Sequence, residues 1–547
     1  MDAAGPALTV ALSTFAQAAQ AVGVIGAALL AGLVLLARSA RARAFAMLAA
    51  LALTPVLLIA NIWSTPQFEA LRERPALALG AAGAGLVALA IGAFVFHRRP
   101  QLFVLSAAAA LPFRVPIESG GETANLLVPL YLVIAAGGLS YALVRLRGIG
   151  WREDPEPERA PGTLQWLLAA SIVLYALQAA YSSDFDHALS QEIFFYVPFA
   201  LLFALLVRIE WTPRLVGRSL LVLLALAVVF VGVGFVEYAQ RELLLNPKVI
   251  ASNQFETYFR VNSLFFDPNI YGRFLATVII GLAALLLWSR RTDVIAACAL
   301  ALTLLLAGLV LTLSQSSFTA LLAGLAVLGA LRWGAGRVLA VAGGFALAAL
   351  IVVLAAPAAV GLDQSLDKAT SGRSELIRGG VELFADRPLP GYGAGAFRRE
   401  YRDNEKASSE RAAAASHTIA ITTAAEQGIG GLGLYLALLA VALAGLLRGA
   451  RHDAARAGIA AAFVALVVHT LLYAAFLEDP LAWALLAIGT TLAGRAAAAT
   501  SAAERAAARS AVRPQSAGTA ADGPASAADP RAGAPAAAGS APAPSEP

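Results

Sequence analysis

Cysteine is almost missing from this chain: Cys298 is the only one in 547 residues, and it lies inside an apolar run. An intrachain disulfide and a cysteine-ligated metal are therefore excluded. Histidine is sparse as well, with five residues scattered and no His-Glu-x-x-His or similar ligand spacing. No structural or catalytic metal is expected, and no cofactor. Lysine is confined to Lys248, Lys368 and Lys406, so positive charge is almost all arginine. A net charge of +5 divided among short loops is no footprint for nucleic acid.

Charged residues make up only 14% of the chain and hydrophobic ones 59%, a balance that a water-soluble domain could not bury. Apolar runs of about 20 residues recur from the N-terminus to Arg495, each long enough to cross a bilayer as a helix. Fifteen can be counted: 15–37, 44–63, 76–96, 101–113, 125–144, 164–181, 192–208, 215–236, 269–288, 294–313, 317–332, 337–356, 417–447, 458–476 and 481–494. The fourth and last are short. The fold class is all-α, a polytopic helical membrane protein of about 12–15 transmembrane helices. The first run keeps its place as a retained helix, because Arg38, Arg41 and Arg43 follow it instead of preceding it.

Loop charge alternates with the runs. Clusters at Arg38/Arg41/Arg43, Arg98/Arg99, Arg145/Arg147/Arg152, Arg208/Arg214/Arg218, Arg290/Arg291, Arg332/Arg337 and Arg448/Arg451/Arg456 mark every second connection and are assigned to the cytoplasm. The intervening connections are acidic or mixed and face outward. The expected organisation is helices over 1–236, an outer loop over 237–268, helices over 269–356, a large outer loop over 357–416, helices over 417–494, and a disordered cytoplasmic tail over 495–547 rich in Ala, Pro, Ser and Gly. In the large loop, Leu376, Ile377, Val381 and Phe384 stand at helical spacing and predict an amphipathic helix along the membrane face, within Leu366–Ala385.

Three stretches carry chemistry. In the first, Arg260 precedes Asp267-Pro268-Asn269, a helix-start signal in which Asp267 or Asn269 can cap; Arg273 follows one turn into the helix. Outward-pointing amides at that helix start, beside guanidinium groups, suit an anion. The plain alternative is arginine snorkelling at a bilayer face. In the second, Ser371-Gly372-Arg373 precedes Pro388-Leu-Pro390-Gly391-Tyr392-Gly393, a turn whose backbone can come close to a ligand. In the third, His417-Thr418 is followed by nine residues and Gly428, placing a titratable imidazole where a polar loop meets a membrane-length run. Glu426, nine residues on, lies ~14 Å deeper on the opposite helix face. Helix packing is its plain alternative role, while His469 is expected to make a structural hydrogen bond.

These stretches, in this order, resemble the O-antigen ligase and polymerase superfamily of bacterial polysaccharide enzymes over roughly Tyr258 to Leu434. Where the family has Asn, Ser or Gln after the histidine, this chain has Thr418. The resemblance implies a metal-independent, inverting glycosyltransferase of the C type at the outer face of the plasma (inner) membrane, with undecaprenyl-pyrophosphate-linked glycan as donor and a glycan or lipid-linked acceptor. It implies a pyrophosphate clamp from Arg260, Arg373 and Arg273, with His417 as general base. Asp267, Asn269, Gly391, Gly393, Thr418, Glu426 and Gly428 would support the site. Elongation of a capsule, exopolysaccharide or teichuronic-type polymer is the alternative outcome. A lipid or polysaccharide flippase is the alternative of another class; it would require facing ionisable residues within the membrane and repeated spans. Only Glu426, Arg273 and His469 lie deep, and no repeat is visible.

Overall fold

The computed structural model describes residues 4–62, 73–119, 122–146, 160–244, 259–355, 373–405, 418–473 and 475–511. The N-terminal part runs α1 (Ala4–Leu36), α2 (Ala40–Ile62), α3 (Pro75–Arg98), α4 (Pro100–Ala110), α5 (Val128–Leu146), α6 (Thr163–Ala179), α7 (Phe185–Leu206) and α8 (Pro213–Gln240). The C-terminal part runs α9 (Pro268–Trp288), α10 (Thr292–Thr312), α11 (Gln315–Trp333), α12 (Ala335–Ala355), α13 (Arg373–Asp386), α14 (Phe397–Glu405), α15 (Ile419–Leu447), α16 (Ala454–Thr470) and α17 (Pro480–Ala511). Each apolar run of the sequence forms a helix. Among the described residues eleven are long and apolar enough to span a bilayer, and α4, α6 and α16 are shorter apolar helices.

Two features depart from expectation. Between α4 and α5 the chain forms a hairpin, β1 (Val115–Ser119) paired antiparallel with β2 (Glu122–Leu126) in the register Val115 to Leu126 and Ser119 to Glu122. At the other end, α17 continues to Ala511 instead of giving way to a tail at 495. The alanines that lack bulk for a membrane span have the highest intrinsic helix propensity, so low apolarity there did not mean loss of helix. Residues 512–547 lie outside the described residues.

Caps set the helix starts. Asp267 accepts from the amides of Asn269 and Ile270 at 2.6 and 3.3 Å, with Pro268 at the first helical position. Thr212, Ser314, Asp453 and Asp184 cap α8, α11, α16 and α7 in the same way. The tightest packing joins α9, α11 and α16, where a methyl on Gly272 or Gly458 would press on Ser317 or Ala284. Such small residues let membrane helices approach where no hydrophobic force drives them together. His469, fully buried on α16, lies 3.3 and 3.4 Å from the hydroxyls of Ser316 and Ser317 on α11, a structural hydrogen-bonding role.

Loop contacts sort the connections to two ends. At one end Arg43 and Arg208 gather around Tyr141, Arg332 reaches Leu287, Trp288 reaches Arg451, and Arg495 pairs with Glu210. At the other end the segments 180–184, 259–267, 312–317, 386–397 and 471–479, together with Thr418, meet one another. The second end is held by a buried ion pair, Arg273 to Asp479 at 2.8 Å, linking α9 to the turn before α17. A pair of this kind is costly to break from one side, because the remaining charge stays buried. Arg273→Met should lower unfolding free energy by about 3–5 kcal/mol. Arg273→Met with Asp479→Asn, which keeps the capping oxygen for Leu481 but removes the orphaned charge, should recover most of it in thermal unfolding of the detergent-solubilised protein.

Candidate functional site

The site begins at the start of α9. Arg260, half-buried just upstream, donates from Nε to the Thr312 carbonyl at 3.0 Å and from Nη2 to the Asn269 side-chain oxygen at 3.2 Å. Asn269 also accepts from the Ser314 hydroxyl at 2.8 Å, so the α9 start and the α10–α11 turn hold one guanidinium between them. Asp267 caps with one carboxylate oxygen and accepts from Tyr473 OH with the other, at 3.1 Å. The α16–α17 connection is thereby tied to the same helix start.

Arg273 is turned away from this rim. Expected at a pyrophosphate, it is instead buried, paired with Asp479, and directed from Nη1 to the Ala475 carbonyl at 3.4 Å. Only its Nε is buried without a partner. Its role is to anchor the 475–479 turn and to neutralise Asp479.

Arg114, in the short connection before β1, joins this end without belonging to any of the three sequence stretches. Its guanidinium stands over the Phe266 ring at 5.6 Å, within electrostatic reach of Asp479, Arg273, Tyr131 and Tyr473. Its Nε is buried with no hydrogen-bond partner. Burial pulls this group below its ordinary value, with Asp479 opposing. Pro-Phe-Arg directly after an apolar run was its one available signal.

The second stretch docks on the third. Helix α15 is interrupted at Gly428, whose φ of 65° and ψ of −164° no other residue type readily adopts. The interruption frees backbone groups, and the 388–397 turn takes them. Tyr392 N donates to the Ala425 carbonyl at 3.1 Å, Gly393 N to the Glu426 carbonyl at 2.9 Å, and Ile429 N to the Pro388 carbonyl at 2.8 Å. Gly391 and Gly393 both have positive φ, and a side chain on either would meet backbone: Glu426 for Gly391 and Ser182 for Gly393. Glu426 adds its carboxylate, which accepts from Phe397 N at 3.2 Å. It is therefore more than a packing residue, because it closes the far end of the turn. Tyr181 OH to the Pro390 carbonyl at 2.6 Å and Ser182 Oγ to the Ala394 carbonyl at 2.7 Å fasten the same turn to the α6–α7 connection. Thr418, just before α15, donates to the Leu471 carbonyl at 3.0 Å.

The helix predicted in the large loop is α13, starting at Arg373; residues 366–372 of the expected span lie outside the described residues. Its inner face is Leu376, Gly380 and Leu383, packed near Phe397, while Ile377 and Val381 are exposed. Those two thus form the outward apolar stripe suited to a membrane face. Arg373 contributes its backbone to the start of α13, but its side chain is outside the described residues, and so are Ser371, Gly372 and His417.

Between the docked turn, α15 and the α6–α7 region lies a cavity of about 230 Å³, lined by Tyr175, His187, Gln191, Tyr196, Gly395, Phe397, Arg398, Ile419, Thr422, Thr423, Glu426, Gln427 and Glu478. Glu478 is adjacent to Asp479, so this cavity and the Arg273 pair share a turn. Burial pushes the Glu478 carboxyl up to about 7, with Arg273 and Arg114 working against the rise and Asp479 adding to it. Among the described residues no group of His, Cys, Asp and Glu could hold a metal ion.

Two expectations follow. Gly428→Ala should lower the melting temperature by a few degrees, since a non-glycine residue at such a φ/ψ costs ~1–3 kcal/mol and its Cβ would press on the Leu389 carbonyl. Gly430→Ala, a helical position facing open space, should change it little. The second concerns pH. A carboxyl held near 7 in the fold but near its ordinary ~4.3 when unfolded binds more protons folded, so its contribution to stability falls as pH rises across that interval. The stability gained by Glu478→Gln over the parent should therefore grow between about pH 4 and 7.5 and level off above, as read by unfolding midpoints across that range.

Residues 299–436 match the family described as O-antigen ligase. The match covers α13, the docked turn and the break in α15, but not the Arg260–Arg273 stretch. No curated protein matches the chain.

Proposed function

We propose, from the assignment of this chain to the O-antigen ligase and polymerase family, that it moves a glycan from undecaprenyl pyrophosphate to an acceptor hydroxyl at the outer face of the plasma membrane. A ligase or polymerase that transfers glycan is the family-level activity. The donor, the sidedness and the residue roles are our reading. Sidedness rests on the arginine-rich end of the bundle, which belongs in the cytoplasm and leaves the end carrying Arg260 and the cavity outside.

The carrying observation is that the α9 start with Arg260 and the start of α15 are joined at one end through the 471–479 connection, and that the 388–397 turn docks on the break in the same α15. Arg260 is oriented by Asn269 and the Thr312 carbonyl, which favours a fixed guanidinium over a mobile surface arginine. In the transfer, the acceptor oxygen forms a bond to the anomeric carbon while the bond from that carbon to the pyrophosphate oxygen breaks. The lipid pyrophosphate leaves with the electron pair, and the hydroxyl proton passes to His417. Attack opposite the leaving group inverts the anomeric centre. Arg260 and Arg373 would offset the negative charge that grows on the leaving phosphate, where preorganised cations act most strongly. His417 would serve as general base, suited by an imidazole's ordinary value near the working pH. Asn269 and Asp267 hold the α9 start, and Gly391, Gly393, Glu426 and Gly428 hold the turn against α15.

His417→Ala should reduce turnover by about 10²–10⁴-fold with expression intact. Arg373→Ala should abolish transfer, and Arg260→Lys should not restore what Arg260→Ala loses, since lysine lacks the planar fork that Arg260 presents from Nε and Nη2 to its two acceptors. Proteoliposomes supplied with undecaprenyl-pyrophosphate glycan and acceptor, scored by product chain length, measure all four variants and separate a single transfer from polymerisation. Wild-type rates in both His417→Ala and Arg373→Ala would remove the mechanism.

A further inference from the structure

The chemistry of the cavity beside α15 differs from that of the Arg260 rim. Its lining brings two carboxylates, Glu426 and Glu478, against one guanidinium, Arg398, and adds the side-chain amides of Gln191 and Gln427. A pyrophosphate offers only acceptors and negative charge, and this wall, with one guanidinium beside two carboxyl groups, supplies no arginine pair to clamp it. The lining also includes aromatic rings, Tyr175, Tyr196 and Phe397. Aromatic faces beside carboxylate and amide oxygens match the two faces of a sugar ring, one of C–H bonds and one of hydroxyls.

An unmet acceptor strengthens the distinction. The Gln191 side-chain oxygen is buried without a hydrogen-bond partner, while its amide nitrogen lies 3.3 Å from His187 Nε2. A buried polar atom left in this way is costly, and it calls for a donor. Hydroxyl groups supply donors; phosphate oxygens do not. Gln191 immediately precedes a π-helical turn, Glu192–Tyr196, which places Tyr196 on the cavity wall. Single π turns inside α-helices are frequent at functional sites. The volume, about 230 Å³, equals that of roughly eight water molecules and suits one ring better than a chain of them.

We propose that this cavity binds an uncharged pyranose, the terminal sugar of the acceptor, through Gln191, Glu426, Glu478 and the Tyr196 ring, leaving the pyrophosphate to the arginine rim. The assignment as acceptor rests on the glycan-transfer reading; the sugar site itself does not. Its place beside Ile419 and Thr422 sets the sugar at the start of α15. Glu478 then belongs to sugar recognition at one side of a turn whose other side, Asp479, belongs to the Arg273 pair.

The test uses the full-length protein in nanodiscs, with the methyl glycosides of glucose, galactose, mannose and N-acetylglucosamine as probes and saturation-transfer NMR as readout. At least one glycoside should receive saturation on its ring protons. That signal should fall about fivefold in Gln191→Leu and in Glu478→Leu, the scale of one lost hydrogen bond, with melting temperatures confirming that both variants fold. Two variants on different elements guard against one failing to fold. Inorganic pyrophosphate should not displace the sugar. Absence of saturation for every glycoside, equal saturation in the folded variants, or displacement by pyrophosphate would overturn the site. No turnover is needed, so a protein that binds glycosides here but transfers no glycan keeps the sugar site while the transfer reading fails.

Discussion

The interruption of α15 at Gly428 is the constraint on which the outer end of the bundle depends. A helix broken inside a membrane protein leaves carbonyls and amides that lipid cannot satisfy, so other backbone must replace the missing bonds. Here the 388–397 turn does so, with Tyr392 and Gly393 donating to Ala425 and Glu426 and Ile429 donating back to Pro388. The exchange needs backbone-to-backbone approach with no Cβ between, and this explains the glycines at 391 and 428, while Gly393 makes room for the Ser182 backbone. Once docked, the turn sets the start of α14, where Phe397 N meets the Glu426 carboxylate and the Phe397 ring stacks on Tyr401. The cavity owes its wall to that same docking.

A division of charge follows. On one side Arg260, Arg114 and Arg273 stand in the α9 and hairpin region, and Asp479 neutralises the most deeply buried of them. On the other side Glu426 and Glu478 face the cavity. In the proposed transfer, pairing Arg273 internally would keep a third guanidinium from competing with Arg260 for the anion. A site with every arginine open would bind a leaving pyrophosphate tightly before transfer as well as during it, and binding of that kind lowers KM without raising turnover.

The helical architecture was legible because each span is a continuous apolar run, and run length alone separates a membrane helix from a core helix. The α9 start was legible for the same kind of reason: Asp-Pro-Asn encodes its cap locally, and Asp267 does cap. The hairpin carried a signal that went unread, Gly120-Gly121 between two five-residue runs, masked by the expectation that the membrane part is wholly helical. The extension of α17 was missed by weighing bulk over propensity. Arg273 could not be placed correctly from sequence. Its partner lies 206 positions away in a short acidic connection, and nothing local tells a guanidinium facing ligand from one facing Asp479. Arg114 and Gln191 share that difficulty, since their meaning comes from what surrounds them in three dimensions.

Consecutive residues with opposite duties close the account of the site. Asp479 holds Arg273, and a buried pair of this kind tolerates little change in charge. Glu478 sits one residue earlier, is held near 7 by burial against two arginines and one carboxylate, and lines the cavity. A carboxyl so poised can accept a hydrogen bond from a sugar hydroxyl when ionised or donate one when neutral, whereas a carboxyl at its ordinary value only accepts near neutral pH. The fixed charge of Asp479 favours the neutral form and the arginines favour the ionised one, so the pair that anchors the turn also tunes its neighbour. Removing the anchor would therefore alter sugar recognition even if the fold survived, because the electrostatic surroundings of Glu478 and the position of its backbone come from the same bond.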